Sequence, residues 1–272
     1  MPIGDIQWAG DESEVALGML KRHIQWGVER GAYFIGMGDY IDTFSPSNRA
    51  RLVGAQLYDT AVKAMDRDAE TRVREIFAEA LKPSKGRWLG LLEGHHFHQF
   101  RNGMTSDQLL ADMLDAKFLG TSAYVRMTFR ASRSQNPKSG SVVIWCHHGA
   151  GSSSTAGGSL NRVAKAAEAW DADIYLMGHH HKKNGVSLDY VRPVYPHSGT
   201  PHLSYKTKLL VVTGSFLKGY IEGRRDGLVP RGGYVEQKML NPVQLGGVLV
   251  KVRPRWDRAG IQAWAPDLNV EL

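Results

Sequence analysis

The chain has 272 residues, 42% of them hydrophobic, and a net charge of +7. That length suits one large domain or two small ones; no apolar run reaches the length of a membrane span and no signal-peptide pattern opens the chain, so no membrane partner is expected. The single cysteine, Cys146, excludes an intrachain disulfide framework and any multi-cysteine zinc site, and a reducing cytoplasm is the expected compartment.

In chain order, Met1–Gly4 reads as a short strand ending at Asp5. Asp11 with Glu14 resembles a capping box for a helix that carries Leu17, Leu20, Ile24 and Val28 at helical spacing, with His23 inside it as a structural residue. Ala32–Met37 is an apolar run closed by Gly38-Asp39. Strand, helix and strand make a βαβ unit, which sends Asp5 and Asp39 to one carboxyl edge of a parallel sheet. Residues 50–81 read as one long helix. Trp88–Leu92 is a buried strand leading to His95, His96 and His98. Thr105 and Gln108 cap the next helix. Tyr124–Arg130 and Ser141–Cys146 form a hairpin around the polar linker Ala131–Gly140, and His147-His148 follows.

Gly149–Gly158 is a Gly/Ser loop without the G-K-[ST] ending of a nucleotide cradle. Leu160–Trp170 is helical, and Ile174–Met177 is a strand ending in Gly178-His179-His180-His181. Beyond this, Gly185–Tyr190, Lys208–Thr213 and Gly246–Val252 read as strands, with a long loop over Gly214–Gly233. No linker divides the chain, so a single domain over 1–272 is expected, with motifs in 4–181 and a basic, β-rich part in 182–272. That last part holds 14 Lys/Arg against 7 Asp/Glu, while residues 1–181 hold 20 of each. A basic segment directly after a histidine cluster suits a polyanionic partner such as nucleic acid or a nucleotide.

Eight of the eleven histidines fall in the three clusters after strand-like runs, downstream of two Gly-Asp pairs. Imidazole is the commonest protein metal ligand and a carboxylate can bridge two cations, so the pattern points to a metal site at one sheet edge. In order, the motifs are Asp5-Ile6-Gln7, Gly38-Asp39-Tyr40-Ile41-Asp42, Gly94-His95-His96, His147-His148 and Gly178-His179-His180-His181. This resembles the calcineurin-like metallophosphoesterase superfamily, whose pattern is D-x-H, G-D-x-x-D, G-N-H-[DE], a lone His and G-H-x-H.

The resemblance implies a four-layer α/β/β/α sandwich, with two mixed β-sheets flanked by helices, and two divalent metal ions, Mn first with Fe, Zn or Ni also accepted. It implies Asp5, Gln7, Asp39 and His181 as ligands of the first ion, and Asp39, His95, His147 and His179 as ligands of the second, with His148 the alternative to His147. Two cations about 4 Å apart acidify a bridging water and clamp a phosphate. His96 takes the position of the general acid and Asp42 that of the carboxylate orienting it, the alternative being His96 as ligand and His95 as bystander.

Two departures stand out: Gln7 where the superfamily has His, and His95 where it has Asn. An amide oxygen is the weaker donor, so the first ion is expected to bind more loosely. Thr43-Phe44 after Asp42 disfavours the protein Ser/Thr phosphatases, and Tyr40 gives only a weak version of the iron-binding tyrosine of purple-acid types. The expected activity is a metal-dependent phosphodiesterase acting on nucleic acid or nucleotides. A phosphomonoesterase and a catalytically inactive metal- or phosphate-binding module are the alternatives. His197 and His202 are weaker candidates for the cleft wall.

Overall fold

The structure, a computed structural model, describes residues 1–130, 139–151, 155, 157–255 and 266–272. Its first part comprises β1 (Pro2–Ile3), α1 (Leu17–Glu29), β2 (Phe34–Gly36), α2 (Pro46–Gly54), α3 (Asp59–Ile76), β3 (Trp88–Leu92), α4 (Ser106–Met113) and β4 (Phe118–Gly120). The four strands form one sheet in chain order, parallel at every pairing. Each connection in this half carries a helix, as a parallel crossover requires. Mixed pairing, expected for both sheets, is confined to the second.

That second sheet contains β5 (Ser122–Arg130), β6 (Ser139–His147), β7 (Ile174–Met177), β8 (Lys183–Val194) and β9 (His202–Thr213), with α5 (Gly158–Ala169) between β6 and β7. Its order is β5-β6-β7-β9-β8: β6, β7 and β9 run parallel, and antiparallel hairpin partners flank them. The remainder is β10 (Arg225–Asp226), β11 (Val229–Pro230), α6 (Tyr234–Gln237), β12 (Leu249–Arg253) and β13 (Asp267–Glu271), the last two paired antiparallel. Most of the linker Ala131–Gly140, and Ser152, Ser153, Ser154 and Ala156 of the Gly/Ser loop, lie outside the described residues.

The strands alternate between cores. Phe34 and Leu91 join α1, α3 and α4 in one apolar cluster, whereas their neighbours Ile35 and Leu92 join a second cluster. Ile144, Cys146, Ile174, Leu176, Leu209 and Val211 from the other sheet belong to that second cluster as well. Trp145, Tyr175, Leu210 and Val212 face the opposite way, into a third cluster with Val163, Ala166 and Ala167 of α5. Side chains alternate with period two, so strands buried on both faces read as the unbroken apolar runs seen in the sequence. Among the described residues no helix is long and apolar enough to cross a membrane.

Local details differ from the expectation at two helices. Asp11 accepts from Ser13 (2.7 Å) rather than capping a helix, Glu14 pairs with Arg224, and α1 begins only at Leu17 after the uncapped Ala16. The expected 50–81 helix is interrupted between Gly54 and Asp59, where Gln56 has a φ of +46°, and it ends in a π turn over Phe77–Leu81. Thr105 does cap α4, its hydroxyl accepting from Gln108 N at 3.2 Å.

Asp107, in the first turn of α4, is fully buried, and its carboxylate accepts from Gly94 N (2.9 Å) and the Ser106 hydroxyl (3.2 Å). Burial pushes its pKa up to about 7, an effect that the Gly94 bond opposes. Between the unfolded carboxylate value of about 4 and this raised value, the native state binds more protons than the unfolded chain. Stability is therefore expected to fall as pH rises from about 4 to about 7 and then to level off. In Asp107→Asn that slope should disappear from urea melts recorded across the interval. An unchanged slope would place its origin elsewhere.

Candidate metal centre

Every strand-end motif arrives at one place because β1, β2 and β3 are parallel in one sheet, and β6 and β7 are parallel in the other. Asp5 follows β1, Asp39 follows β2, His95 and His96 follow β3, His148 follows β6, and His179 to His181 follow β7. The ligand atoms of Asp5, Asp39 and His148 lie within 4.8 Å of one another, and so do those of His95, His148 and His179. His148 belongs to both groups.

The backbone is distorted to achieve this. Eight described non-glycine residues have positive φ, and five of them are Asp5, Gln7, Asp39, His179 and His181. Such left-handed conformations cost roughly 1–3 kcal/mol each and persist only where the surroundings enforce them. Here the surroundings are backbone hydrogen bonds. Asp39 O accepts from both Ile6 N and Gln7 N at 2.9 Å, while Asp5 O accepts from the Ser215 hydroxyl (2.9 Å) and Phe216 N (3.1 Å).

One oxygen of each carboxylate serves the loops. Asp39 Oδ1 accepts from His95 N and from His96 N (2.9 Å), and Asp5 Oδ2 accepts from His179 N (2.9 Å). The other oxygens, Asp5 Oδ1 and Asp39 Oδ2, are buried without a hydrogen-bond donor, and so is His148 Nε2. His148 Nδ1–H donates to Met37 O at 2.6 Å, which leaves Nε2 3.2 Å from Asp39 Oδ2, close but without hydrogen-bond geometry. Burial disfavours charge on His148, yet the Asp39 and Asp5 carboxylates outweigh it and raise its pKa to about 9. Either a proton or a cation answers this concentration of negative charge, and a metal displaces such a proton when it binds.

Imidazoles tied through one nitrogen to a backbone carbonyl present the other to a metal. His179 repeats the pattern: its Nε2 bonds Gly151 O at 2.9 Å and its Nδ1 faces His95 Nδ1 at 3.3 Å. Burial, and then the neighbouring His148, lower the pKa of both rings, that of His95 to about 4, so both are neutral donors. His181 Nε2 lies 3.4 Å from Asp5 Oδ1. The buried, orphaned donor atoms and neutral imidazoles fit a divalent cation.

At the His147-His148 pair the structure differs from the sequence expectation. His147 ends β6 on the same face as Trp145, against which it stacks at 5.9 Å, and its Nδ1 accepts from Gly149 N (2.7 Å). Two-residue alternation thus turns His147 toward the side of α5, and it belongs to neither candidate metal group. His148, one residue beyond the strand, turns into the centre.

His96 is outside both groups, and its Nδ1 bonds Asp42 Oδ1 at 2.7 Å. Burial lowers its pKa, but the Asp42 bond and the Asp39 and Asp42 charges produce a net rise. Tyr40 is removed from this cluster: its hydroxyl donates to Leu92 O at 3.0 Å inside the core. His98 is buried against Asp66 (2.7 Å), and His180 is buried with its ring against that of His179.

Gln7 is 7% exposed at the end of the first motif, and no hydrogen bond to its side-chain amide occurs among the described residues. Gln7→His is expected to tighten metal binding, read by titration calorimetry, by roughly tenfold or more. Identical isotherms for the two proteins would remove Gln7 from the ligand set.

The basic segment divides. Lys182 and Lys183 follow the third cluster, with Lys182 Nζ on Thr155 O (2.7 Å). Lys218 is bound by the carbonyls of Glu12 (3.0 Å) and Ser13 (3.2 Å), and Arg224 by Glu14. Lys206 and Lys208 lie in the middle of β9, and Lys208 Nζ is tied to Ala167 O at 2.9 Å. β9 runs parallel to β7 and reaches the centre only at Thr213. Its twelve residues, roughly 36 Å at about 3.3 Å per step, carry His202 and the connection holding His197 to the opposite end, away from the cleft.

No family model, curated protein or solved structure matches this chain.

Proposed function

We propose that the chain is a divalent-metal-dependent phosphoesterase of the calcineurin-like kind, acting on phosphodiesters of nucleic acid or nucleotides. The observation that carries this reading is the meeting of Asp5, Asp39, His95, His148 and His179 at five strand ends, with three buried donor atoms left unpaired. The three apolar clusters support the corresponding architecture, helices outside two face-to-face sheets.

Asp5 and Asp39, with Gln7 and with His181 beside Asp5, would hold one cation; His95, His148 and His179, with Asp39 shared, would hold the second, and His148 also lies within reach of the first. Asp39 Oδ1 accepts two backbone N–H groups, which leaves Oδ2 as the carboxylate oxygen without a hydrogen bond. Bound divalent cations, Mn²⁺ by preference with Fe, Zn²⁺ or Ni²⁺ accepted by the mixed donors, supply Lewis acidity and an acidified water.

The residues of the chain supply the rest. With Nδ1–H donated to Asp42, His96 has Nε2 left to contact a phosphoryl oxygen and deliver a proton to the departing oxygen. Asp42 keeps the imidazole in that tautomer and stabilises its charged form. Lys182 and Lys183 are the cations nearest the third cluster in sequence and suit an anionic substrate. The deciding experiment measures hydrolysis of bis(p-nitrophenyl) phosphate and p-nitrophenyl phosphate with Mn²⁺, alongside metal analysis of the purified protein. Turnover of the diester is expected. Exclusive turnover of the monoester would replace the diesterase reading, and no turnover with any divalent metal would leave a binding module.

A further inference from the structure

The loop bearing His95, His96 and Phe97 has no helical or strand hydrogen bonding of its own, yet the proposed proton transfer needs the His96 ring in one orientation. Asp42 fixes its Nδ1. The backbone is fixed from two other directions. His96 O accepts from Thr43 Oγ1 (2.7 Å) and Thr43 N (3.2 Å). The carbonyls on either side of His96 converge on a single guanidinium nitrogen: Arg49 Nη2 donates to His95 O at 2.7 Å and to Phe97 O at 3.0 Å. The same nitrogen reaches Phe44 O at 3.3 Å, and the guanidinium lies 3.7 Å from the Phe97 ring centroid.

Arg49 stands on α2, whose N-terminus is capped by Ser45, three residues after Asp42. One side chain therefore ties the continuation of the Asp42 segment to the carbonyls of both residues that flank His96. We propose that Arg49 is a positioning residue for His96, holding the loop at the angle at which the imidazole can protonate a departing oxygen. The proposal rests on the reading of His96 as general acid. A planar guanidinium can bond these carbonyls and stack on Phe97 together, whereas a lysine ammonium offers a compact charge with no face to stack. Arg49→Lys thus keeps the charge and removes the geometry.

The test compares two diesters that differ in their need for an acid. p-Nitrophenolate departs without a proton, while phenolate departs far better with one. With Mn²⁺ loaded, Arg49→Lys is expected to lower kcat on diphenyl phosphate by about 10²-fold. On bis(p-nitrophenyl) phosphate it should lower kcat by less than about threefold, with KM little changed on either. In a His96→Ala background, Arg49→Lys should produce no further loss. Equal losses on the two esters, or losses that multiply in the double variant, would overturn the proposal.

A second readout needs neither metal nor turnover. In the metal-free wild type, the imidazole proton shared by His96 and Asp42 should give a low-field proton resonance, assigned by its loss in Asp42→Asn. It should shift or vanish in Arg49→Lys and Arg49→Ala while their melting temperatures stay within about 3 °C of wild type. An unmoved resonance in both variants overturns the proposal. Should wild type hydrolyse neither ester, the hydrolytic reading fails, and the resonance still decides whether Arg49 sets the His96 geometry.

Discussion

Replacing His148 with alanine is expected to weaken binding of Mn²⁺ or Zn²⁺ by at least about 10²-fold and to remove turnover with it, whereas His147→Ala should leave both within about twofold of wild type. The two residues are adjacent and chemically identical, so the difference is one of direction alone. His148 Nε2 is buried beside Asp39 Oδ2, and its other nitrogen is held by Met37 O. Removing the ring takes away a donor common to both candidate groups. Removing the His147 ring costs a stacking contact with Trp145 and an acceptor for Gly149 N. Titration calorimetry on the two variants, with circular dichroism to confirm folding, makes the comparison. Equal losses would mean that the buried cluster is not the metal site, and a larger loss in His147→Ala would restore the sequence expectation.

How much of this was legible beforehand depends on the range of the interaction. Trp88–Leu92 and Ile174–Met177 were readable to the residue, because strands buried on both faces leave continuous apolar runs. Parallel crossovers then sent Asp5 and Asp39 to one edge, and motif order supplied the neighbours. The choice between His147 and His148 was not readable, since it turns on the residue at which β6 stops alternating. The break between α2 and α3 was hidden as well: helix propensity is continuous through Ala55-Gln56, and Gly54 was the only local signal. Ser215, Asp107 and Arg49 act on Asp5, Gly94 and the His96 loop from 210, 13 and 46 residues away in the chain, so spacing says nothing about them. The charge surplus of the last third misled in a specific way. Sequence proximity suggested a basic rim, but the β8–β9 hairpin carries Lys206 and Lys208 away from the centre, and Lys218 and Arg224 are bound to the segment before α1.

Gly94→Ala is expected to destabilise the protein by about 1–3 kcal/mol or more, lowering the melting temperature by roughly 5–10 °C, and to abolish tight metal binding. The cause is space. A Cβ at Gly94 would lie 2.1 Å from both the backbone nitrogen and Oδ1 of Asp39. Neither can withdraw cheaply, because Asp39 O is held by Ile6 N and Gln7 N while Oδ1 receives the His95 and His96 amides. Gly38 meets the same barrier from the other strand, a Cβ there falling 2.6 Å from Gly94 Cα. This glycine contact lets the ends of β2 and β3 approach closely enough for one carboxylate to serve both loops. A methyl group must push Asp39 off the cluster or push the His95-His96 loop outward, and either movement separates the donors. The matched control is Gly54→Ala at the end of α2, where nothing lies within 4 Å and no positive φ is required. There alanine should stabilise by about 0.4–1 kcal/mol through the unfolded state and leave metal binding unchanged. Thermal melts with metal titrations on both variants test the contrast. A Gly94→Ala protein that melts and binds metal like wild type would show that Asp39 and the His95 loop are not held in the close contact on which a shared carboxylate depends.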